Sequence, residues 1–590
     1  MASPAPKSPE QSERTRKYDR QLRLWGDHGQ ASLEGAHVCL INATGLGTEI
    51  LKSLVLPGIG AFTIVDSKKI TDDDIGANFF LDPDSVGKSR AEIATQVLLE
   101  LNSDVRGDYV DEGPEQILSN SPDFFNTFTV VITTALPEKS LIVLSKILWD
   151  LNIPLIVCRS LGFAAYMRVQ VREHTVIETH PDNETPDLRL DKPFETLKNH
   201  LDSINLEAMD LKDHTHVPYV VILYKYLEKW ISDHGDVPKN YKEKQQLREM
   251  IRTGIRKDEL GNPIDEENFE EAIKAVNTSV AHSHVPTSVL EVLNDDCCIN
   301  LTAKSKSFWI IAKAVRDFME NEGSGLLPLK GAVPDMTADT EKYISLQQVY
   351  HKQAAADAEA VWRRTVHLLR QLGRSSDAIT EKDVKLFCRY ASDIYVQRGT
   401  SIADEYDPKT ANAGKIAQSL ENPESMMVYY VVLRGVEKFQ MEYSSYPGEF
   451  DDHVEPDIVK LKACISKLLV EWGCGPLAKD DYVHEFCRYG GSELHSVSAF
   501  LGGLAAQETI KFITNQYKPI HNTFIHDAVT SNSATVIAVV KKLITKKMIV
   551  PLAASFFFAL AFGVSSINSV SKVSSCTGSR FFIVILTVLR

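Results

Sequence analysis

A chain of 590 residues, 44% apolar and 24% charged, has an ordinary globular composition and is too long for a single compact core. Its formal net charge of −15 argues against a nucleic-acid binder, because phosphate neutralisation needs Lys and Arg in surplus over at least one face. Nine cysteines without a C-x-x-C pair indicate neither a zinc ribbon nor a thioredoxin-like site and suit reduced thiols in a cytoplasmic or nuclear protein.

Residues 1–16, MASPAPKSPEQSERTR, are polar without an apolar core and read as a disordered leader, not a signal peptide. KYDRQLRLWG (17–26) places Tyr18, Leu22 and Trp25 at i, i+4 and i+7, which predicts a short helix with one apolar face and with Arg20 and Arg23 on another side. HVCLINATGLGTEILKSLVLPG (37–58), then AFTIVD ending at Asp66, reads as a buried strand, a glycine-containing turn, an amphipathic helix and a second buried strand. That is the opening βαβ unit of a dinucleotide-type fold. A phosphate cradle needs glycine wherever the backbone must approach the ligand. With Gly47 as the last glycine of G-x-G-x-x-G, the two earlier positions hold Asn42 and Thr44, so the scaffold is kept, the cradle is damaged, and an oxidoreductase of this fold is argued against.

Further apolar strands are expected at FTVVIT (128–133) and IPLIVC (153–158), and helices at 47–56, 88–102 and 138–152. The strands barely alternate, as a parallel sheet covered on both faces requires. An α/β part over 17–171 is followed at 172–484 by a long region of helical patterns without a fixed-period repeat. The basic run at 239–257 carries Leu247, Ile251 and Ile255 at helical spacing and reads as a solvated helix face. The α/β part returns at 485–535 with SELHSVSAFLGGLAAQETIKFITNQ (492–516), whose Gly502, Gly503, Ala505 and Ala506 permit close packing. The last segment, 536–590, is apolar and basic without one Asp or Glu. MIVPLAASFFFALAFGVSS (548–566), flanked by Lys541, Lys542, Lys546 and Lys547, is just long enough for a membrane anchor. Its mismatch with the rest favours a read-through or misassigned exon.

KYDRQLRLWG, the turn and helix at 42–58, VGKSRAEIA (86–94) and GGLAAQETIKFIT (502–514) stand in one order, and together they resemble the ubiquitin-like-protein-activating enzymes over Tyr18 to about Thr535. The match is most similar to the regulatory halves of neddylation-activating heterodimers. The resemblance implies an α/β, Rossmann-like, ThiF-type adenylation fold interrupted by a large, mainly α-helical insertion that resembles a catalytic-cysteine domain without the cysteine. Such enzymes adenylate the C-terminal glycine of a ubiquitin-like modifier with ATP and magnesium, capture it as a thioester on the catalytic half, and pass it to a conjugating enzyme that leads to cullin modification. The implied partners are therefore the catalytic subunit in an obligate heterodimer, the modifier, and indirectly the conjugating enzyme, with a membrane only if the tail is a real anchor. A pure scaffold, a self-sufficient activating enzyme, and a regulatory subunit of another pathway such as sumoylation remain alternatives.

Three departures from active halves imply that no cofactor and no metal is bound by this chain, ATP and magnesium residing in the partner. The glycine turn is degenerate at Asn42, Thr44, Gly45 and Gly47. Ala77-Asn78-Phe79-Phe80 stands in place of an Asn-Arg-Gln segment, and Thr133-Thr134-Ala135-Leu136-Pro137 lacks the magnesium-binding Asp. Asp66, where active halves bind ribose, is then a structural relic. No catalytic cysteine is expected: Cys298 and Cys464 each precede Ile and read as packing residues, and the only Cys-Thr pair, Cys576-Thr577, lies in the atypical tail. What the resemblance leaves is Arg20, whose family counterpart reaches in trans to a phosphate of the partner's ATP.

Overall fold

Runs of buried aliphatic residues set the centre of the molecule. In the computed structural model, which describes residues 13–182, 185–408, 413–422, 424–477 and 479–537, β1 (His37–Ile41), β2 (Ala61–Val65), β3 (Arg106–Val110), β4 (Val130–Thr134) and β5 (Leu155–Leu161) lie parallel. β6 (Ala164–Gln170) folds back antiparallel on β5. β7 (His174–Val176) and β8 (Tyr395–Gln397) form a separate antiparallel ribbon. From the far end of the described chain, β9 (Thr523–Asp527) and β10 (Asn532–Val536) complete an eight-stranded sheet in the order β10-β9-β6-β5-β4-β1-β2-β3. The expected parallel strands are present, and the sheet is mixed because three antiparallel strands extend it.

One face of the sheet is covered by the helices Gly45–Val55, Arg90–Glu100 and His495–Thr514, which share an apolar cluster with Trp25 and Leu33. Gly502 faces the helix Gly45–Val55, as close packing requires, but Gly503 points into open space. The other face is covered by Glu138–Leu151, Met427–Tyr443, Val454–Glu471 and Asp481–Tyr489. The helices between 402 and 484, read above as insertion, thus pack into the sheet body together with the start of the return segment. Arg168 of β6 donates to Glu405 at 2.7 Å, and Arg434 meets Glu138 and Glu437, so buried ion pairs tie this stretch to the sheet.

The β7–β8 ribbon is the neck of the insertion proper, 177–394. Beyond it lie two apolar clusters, one from Leu188 to Tyr350 and one from Val289 to Ile394. The 32-residue helix Thr340–Gln371 bridges them, giving Leu346 and Tyr350 to the first and Val361 and Leu369 to the second. The basic run forms the helix Tyr241–Arg252 with Leu247 and Ile251 buried, as the periodicity predicts. Of the leader, residues 13–16 are helical within Glu13–Lys17, with Arg14 paired to Glu34 at 2.8 Å; residues 1–12 and the proposed anchor at 548–566 fall outside the described residues. No helix among the described residues is long and apolar enough to cross a membrane.

His174 of β7 is 6% exposed, lies 4.7 Å from the Phe512 ring, and leaves its Nε2 without a partner. Burial, helped by the Lys306 charge, holds its pKa down at about 3. The unfolded chain takes up a proton near pH 6.5 that the folded chain refuses, so the site's contribution is present above that pH and is lost as pH falls toward the folded value, at about 1.4 kcal/mol per unit. His174→Leu should flatten this limb of the urea midpoint against pH. An unchanged slope in the variant would assign the acid sensitivity to other groups.

Candidate functional site

The loop between β1 and the helix Gly45–Val55 is built by side chains that satisfy one another. Asn42 takes a left-handed backbone (φ 68°) and donates through Nδ2 to the carbonyl of Thr134 at 2.8 Å. The Thr134 hydroxyl donates to the Asn42 carbonyl at 2.7 Å and accepts from Thr44 Oγ1 at 3.2 Å. Thr44 also caps the helix by accepting from the Gly47 amide at 3.4 Å. The loop is therefore tied to the end of β4, and Thr134 is spent on holding it. Gly45 is needed for a contact inside the protein: a Cβ there would come within 2.5 Å of the Ala77 carbonyl oxygen.

Asp66, at the end of β2, is fully buried and its carboxylate is held by three internal donors. It accepts from the Ala43 amide (2.9 Å), the Lys68 amide (2.9 Å) and Arg90 Nε (2.7 Å). Arg90, 4% exposed, also donates through Nη1 to Asp74 at 2.7 Å. At the start of the helix, where a phosphate would meet free amides, Glu493 Oε2 accepts from the Leu46 amide at 3.0 Å. Burial pushes the Glu493 carboxyl above the usual carboxylate range, while the Leu46 amide, the Thr44 hydroxyl and the Arg90 charge pull it back. A nucleotide here would have to displace one internal carboxylate and compete with an internal guanidinium for another. The residues present do not fit it.

In the stretch 77–80, Asn78 and Phe80 are turned inward and Phe79 outward. Asn78 Oδ1 accepts from Thr48 Oγ1 and from the Phe80 amide, both at 3.0 Å, Phe80 is buried, and Phe79 is 78% exposed. Among the described residues no group of three or more His, Cys, Asp or Glu side chains is arranged to hold a metal ion. Cys298 and Cys464 are buried; burial pushes the first thiol up to about 12 and raises the second, the reverse of what a thiolate nucleophile needs. Cys576 lies outside the described residues.

The fold thus brings Asn42, Thr44, Gly45, Gly47 and Asp66 into one cluster, and no hydrogen bond or ion pair joins Arg20 to it. Arg20 sits in the first half of the helix Asp19–Glu34, which Gly26 (φ 67°, ψ 177°) breaks. That half is anchored by buried Tyr18, whose hydroxyl accepts from Asn102 and donates to Asp104, both at 3.1 Å, and by Gln21 donating to the Pro57 carbonyl at 3.1 Å. Arg23 pairs with Asp19 at 3.1 Å. The exposed Arg20 guanidinium has no partner among the described residues. Arg90 and Glu493, which close the cluster, escaped the sequence reading. Arg90 stood within the quoted VGKSRAEIA segment, but Glu493 is 447 residues from its partner and gave no local signal.

A family model described as the ThiF family matches residues 18–543. The NEDD8-activating enzyme E1 regulatory subunit of Xenopus laevis is 54% identical over 520 residues, covering 88% of this chain and 98% of that protein. The Drosophila melanogaster protein of the same description is 48% identical over 538 residues, 91% of this chain and 99% of its own. The Arabidopsis thaliana NEDD8-activating enzyme E1 regulatory subunit AXR1 is 38% identical over 521 residues, 88% and 95% respectively.

Proposed function

The chain belongs to the ThiF family and within it to the NEDD8-activating enzyme E1 regulatory subunits, and from that premise we propose a division of labour in which it binds no nucleotide itself and completes the ATP site of its partner. It is the regulatory half of a heterodimer with a catalytic subunit. The modifier that is adenylated, ATP, magnesium and the thioester all belong to the partner's side, and the conjugating enzyme is served by the complex. The reading is supported above all by one contrast: the pocket at Gly45 is filled by this chain's own Glu493 and Arg90, whereas the Arg20 guanidinium stands exposed on an anchored helix. A permanently charged planar group with free donors is suited to phosphate oxygens supplied from outside. A sumoylation role is not favoured, since the relatives matched over nearly their whole length carry the NEDD8 description.

The purified chain alone should give no ATP–pyrophosphate exchange in the presence of modifier and magnesium, and its 1:1 complex with a catalytic subunit should form adenylate and then a thioester confined to that subunit. Exchange by the chain alone would overturn the division.

A further inference from the structure

Breaking a helix exposes carbonyls. At Gly26 the helix Asp19–Glu34 leaves its course, and the carbonyls of Leu24 and Trp25 lose their partners in a following turn. They are capped from the opposite end of the chain: Gln516 Nε2 donates to the Trp25 carbonyl at 2.9 Å, and the Tyr517 hydroxyl donates to the Leu24 carbonyl at 3.4 Å. These two residues follow the helix His495–Thr514 in an unusual backbone, with Asn515 and Tyr517 both left-handed (φ 54° and 59°). They stay there because a second set of groups holds them. His180 Nε2 lies 3.0 Å from Gln516 Oε1, and its ring stacks on Tyr517 with centroids 4.4 Å apart. His28 approaches the same amide at 2.8 Å.

Both histidines converge on one carboxylate. Glu178, 4% exposed, faces His28 Nε2 at 3.1 Å and His180 Nε2 at 3.2 Å, and its backbone carbonyl accepts from the Tyr517 amide at 2.8 Å. The Tyr390 ring stands beside that of His180 with centroids 6.4 Å apart, and while burial pushes the Glu178 carboxyl up, His28 and the Tyr390 hydroxyl bring it below the usual carboxylate range. Tyr390 comes from the insertion, directly after the helix Glu381–Arg389, and Lys330 and Arg389 lie over its ring at 5.3 and 5.6 Å. A contiguous set of contacts thus runs from Tyr390 of the insertion to His180, which hydrogen-bonds Gln516 and stacks on Tyr517, and it ends on the last turn of the half-helix that carries Arg20.

We propose that the Glu178–His180–Gln516–Tyr517 cluster is a positioning device, which fixes the half-helix bearing Arg20 and, through Tyr390, makes that placement depend on the seating of the helical insertion. Arg20 lies about one helical turn before the capped carbonyls. With the caps in place the guanidinium is presented from a fixed base. Without them the C-terminal end of the segment 19–25 loses two ties, and only those of Tyr18 and Gln21 at its other end set where the guanidinium points. The inference rests on the reading of Arg20 as a contributor to the partner's ATP site, and it adds residues that act through that side chain.

The test uses the assembled heterodimer and follows adenylate formation in single turnover, with Arg20→Ala as reference. Gln516→Ala should lower the rate constant about tenfold, since a displaced positioning group forfeits orientation. Tyr390→Phe, which keeps the ring and removes only the hydroxyl, should lower it about threefold. In both, half-saturation by the modifier and assembly with the catalytic subunit should be unchanged. Neither substitution should slow a complex that already carries Arg20→Ala, because there the positioned group is gone; a merely structural loss would act in both backgrounds. If Arg20→Ala slows the reaction and Gln516→Ala and Tyr390→Phe do not, or if they act equally in both backgrounds, the positioning role is overturned while the Arg20 reading stands. If Arg20→Ala itself has no effect, both fall.

Discussion

Arg20→Ala in the assembled heterodimer is expected to slow adenylation of the modifier by about ten- to a hundredfold, with assembly and thermal stability unchanged. The residue is exposed and makes no bond within this chain, so its removal takes nothing from the fold. Surface substitutions of that kind usually stay within about 0.5 kcal/mol. Its contribution must therefore be sought outside the chain. A guanidinium offers five donors in a fixed plane and stays charged at every working pH. Arginines supplied in trans to phosphoryl transfer contribute about a thousandfold or more. A smaller factor is expected for adenylyl transfer. Arg20→Lys should retain part of the rate, since charge survives and the fork is lost. Quenched-flow measurement of the adenylate with saturating ATP checks this, and a wild-type rate in the Arg20→Ala complex would leave the chain as scaffold alone.

How much of this was legible beforehand follows from where each residue finds its partners. β1, β2, β4 and β5 are buried on both faces and show as apolar runs in the sequence. β3, RGDYV, is an edge strand with mostly exposed residues and has no such run. β6 is wholly buried yet contains Arg168, which is tolerable because Glu405 comes to meet it from 237 residues away and Thr400 accepts from its Nη2. The helices of 402–489 look amphipathic whether they pack on a sheet or on each other, since periodicity reports which side is buried and not against what. The same division holds at the site. Asn42, Thr44, Gly45 and Gly47 lie within six consecutive residues and could be read as a degenerate turn, and Asp66 closes the next strand. The charges that seal the pocket, Arg90 and Glu493, become visible only when the helices Arg90–Glu100 and His495–Thr514 are laid on the sheet.

Arg90→Met should destabilise the sheet body by about 3–5 kcal/mol, the cost of leaving a buried charge without its partner. Asp66 has no route to solvent, and once the guanidinium is gone only the Ala43 and Lys68 amides remain to hold its carboxylate. The double variant Arg90→Met/Asp66→Asn should recover most of the loss. It removes both charges together with their desolvation, and an amide can still accept from one of the two backbone donors. Urea unfolding of the four members of this cycle measures the coupling. It also separates two histories of the pocket. If Asp66 is an internal anchor, the coupling is large and millimolar ATP with magnesium leaves the midpoint of the lone chain where it is. If Asp66 were still available to a ribose, the single variant would cost less than about 1 kcal/mol, and ATP at a hundredfold excess over its dissociation constant would raise the unfolding free energy by about 2.7 kcal/mol and move the midpoint up with it. A large coupling with no ATP shift is expected, because Asp66 is fully buried and one guanidinium at 2.7 Å and two amides at 2.9 Å already hold its carboxylate.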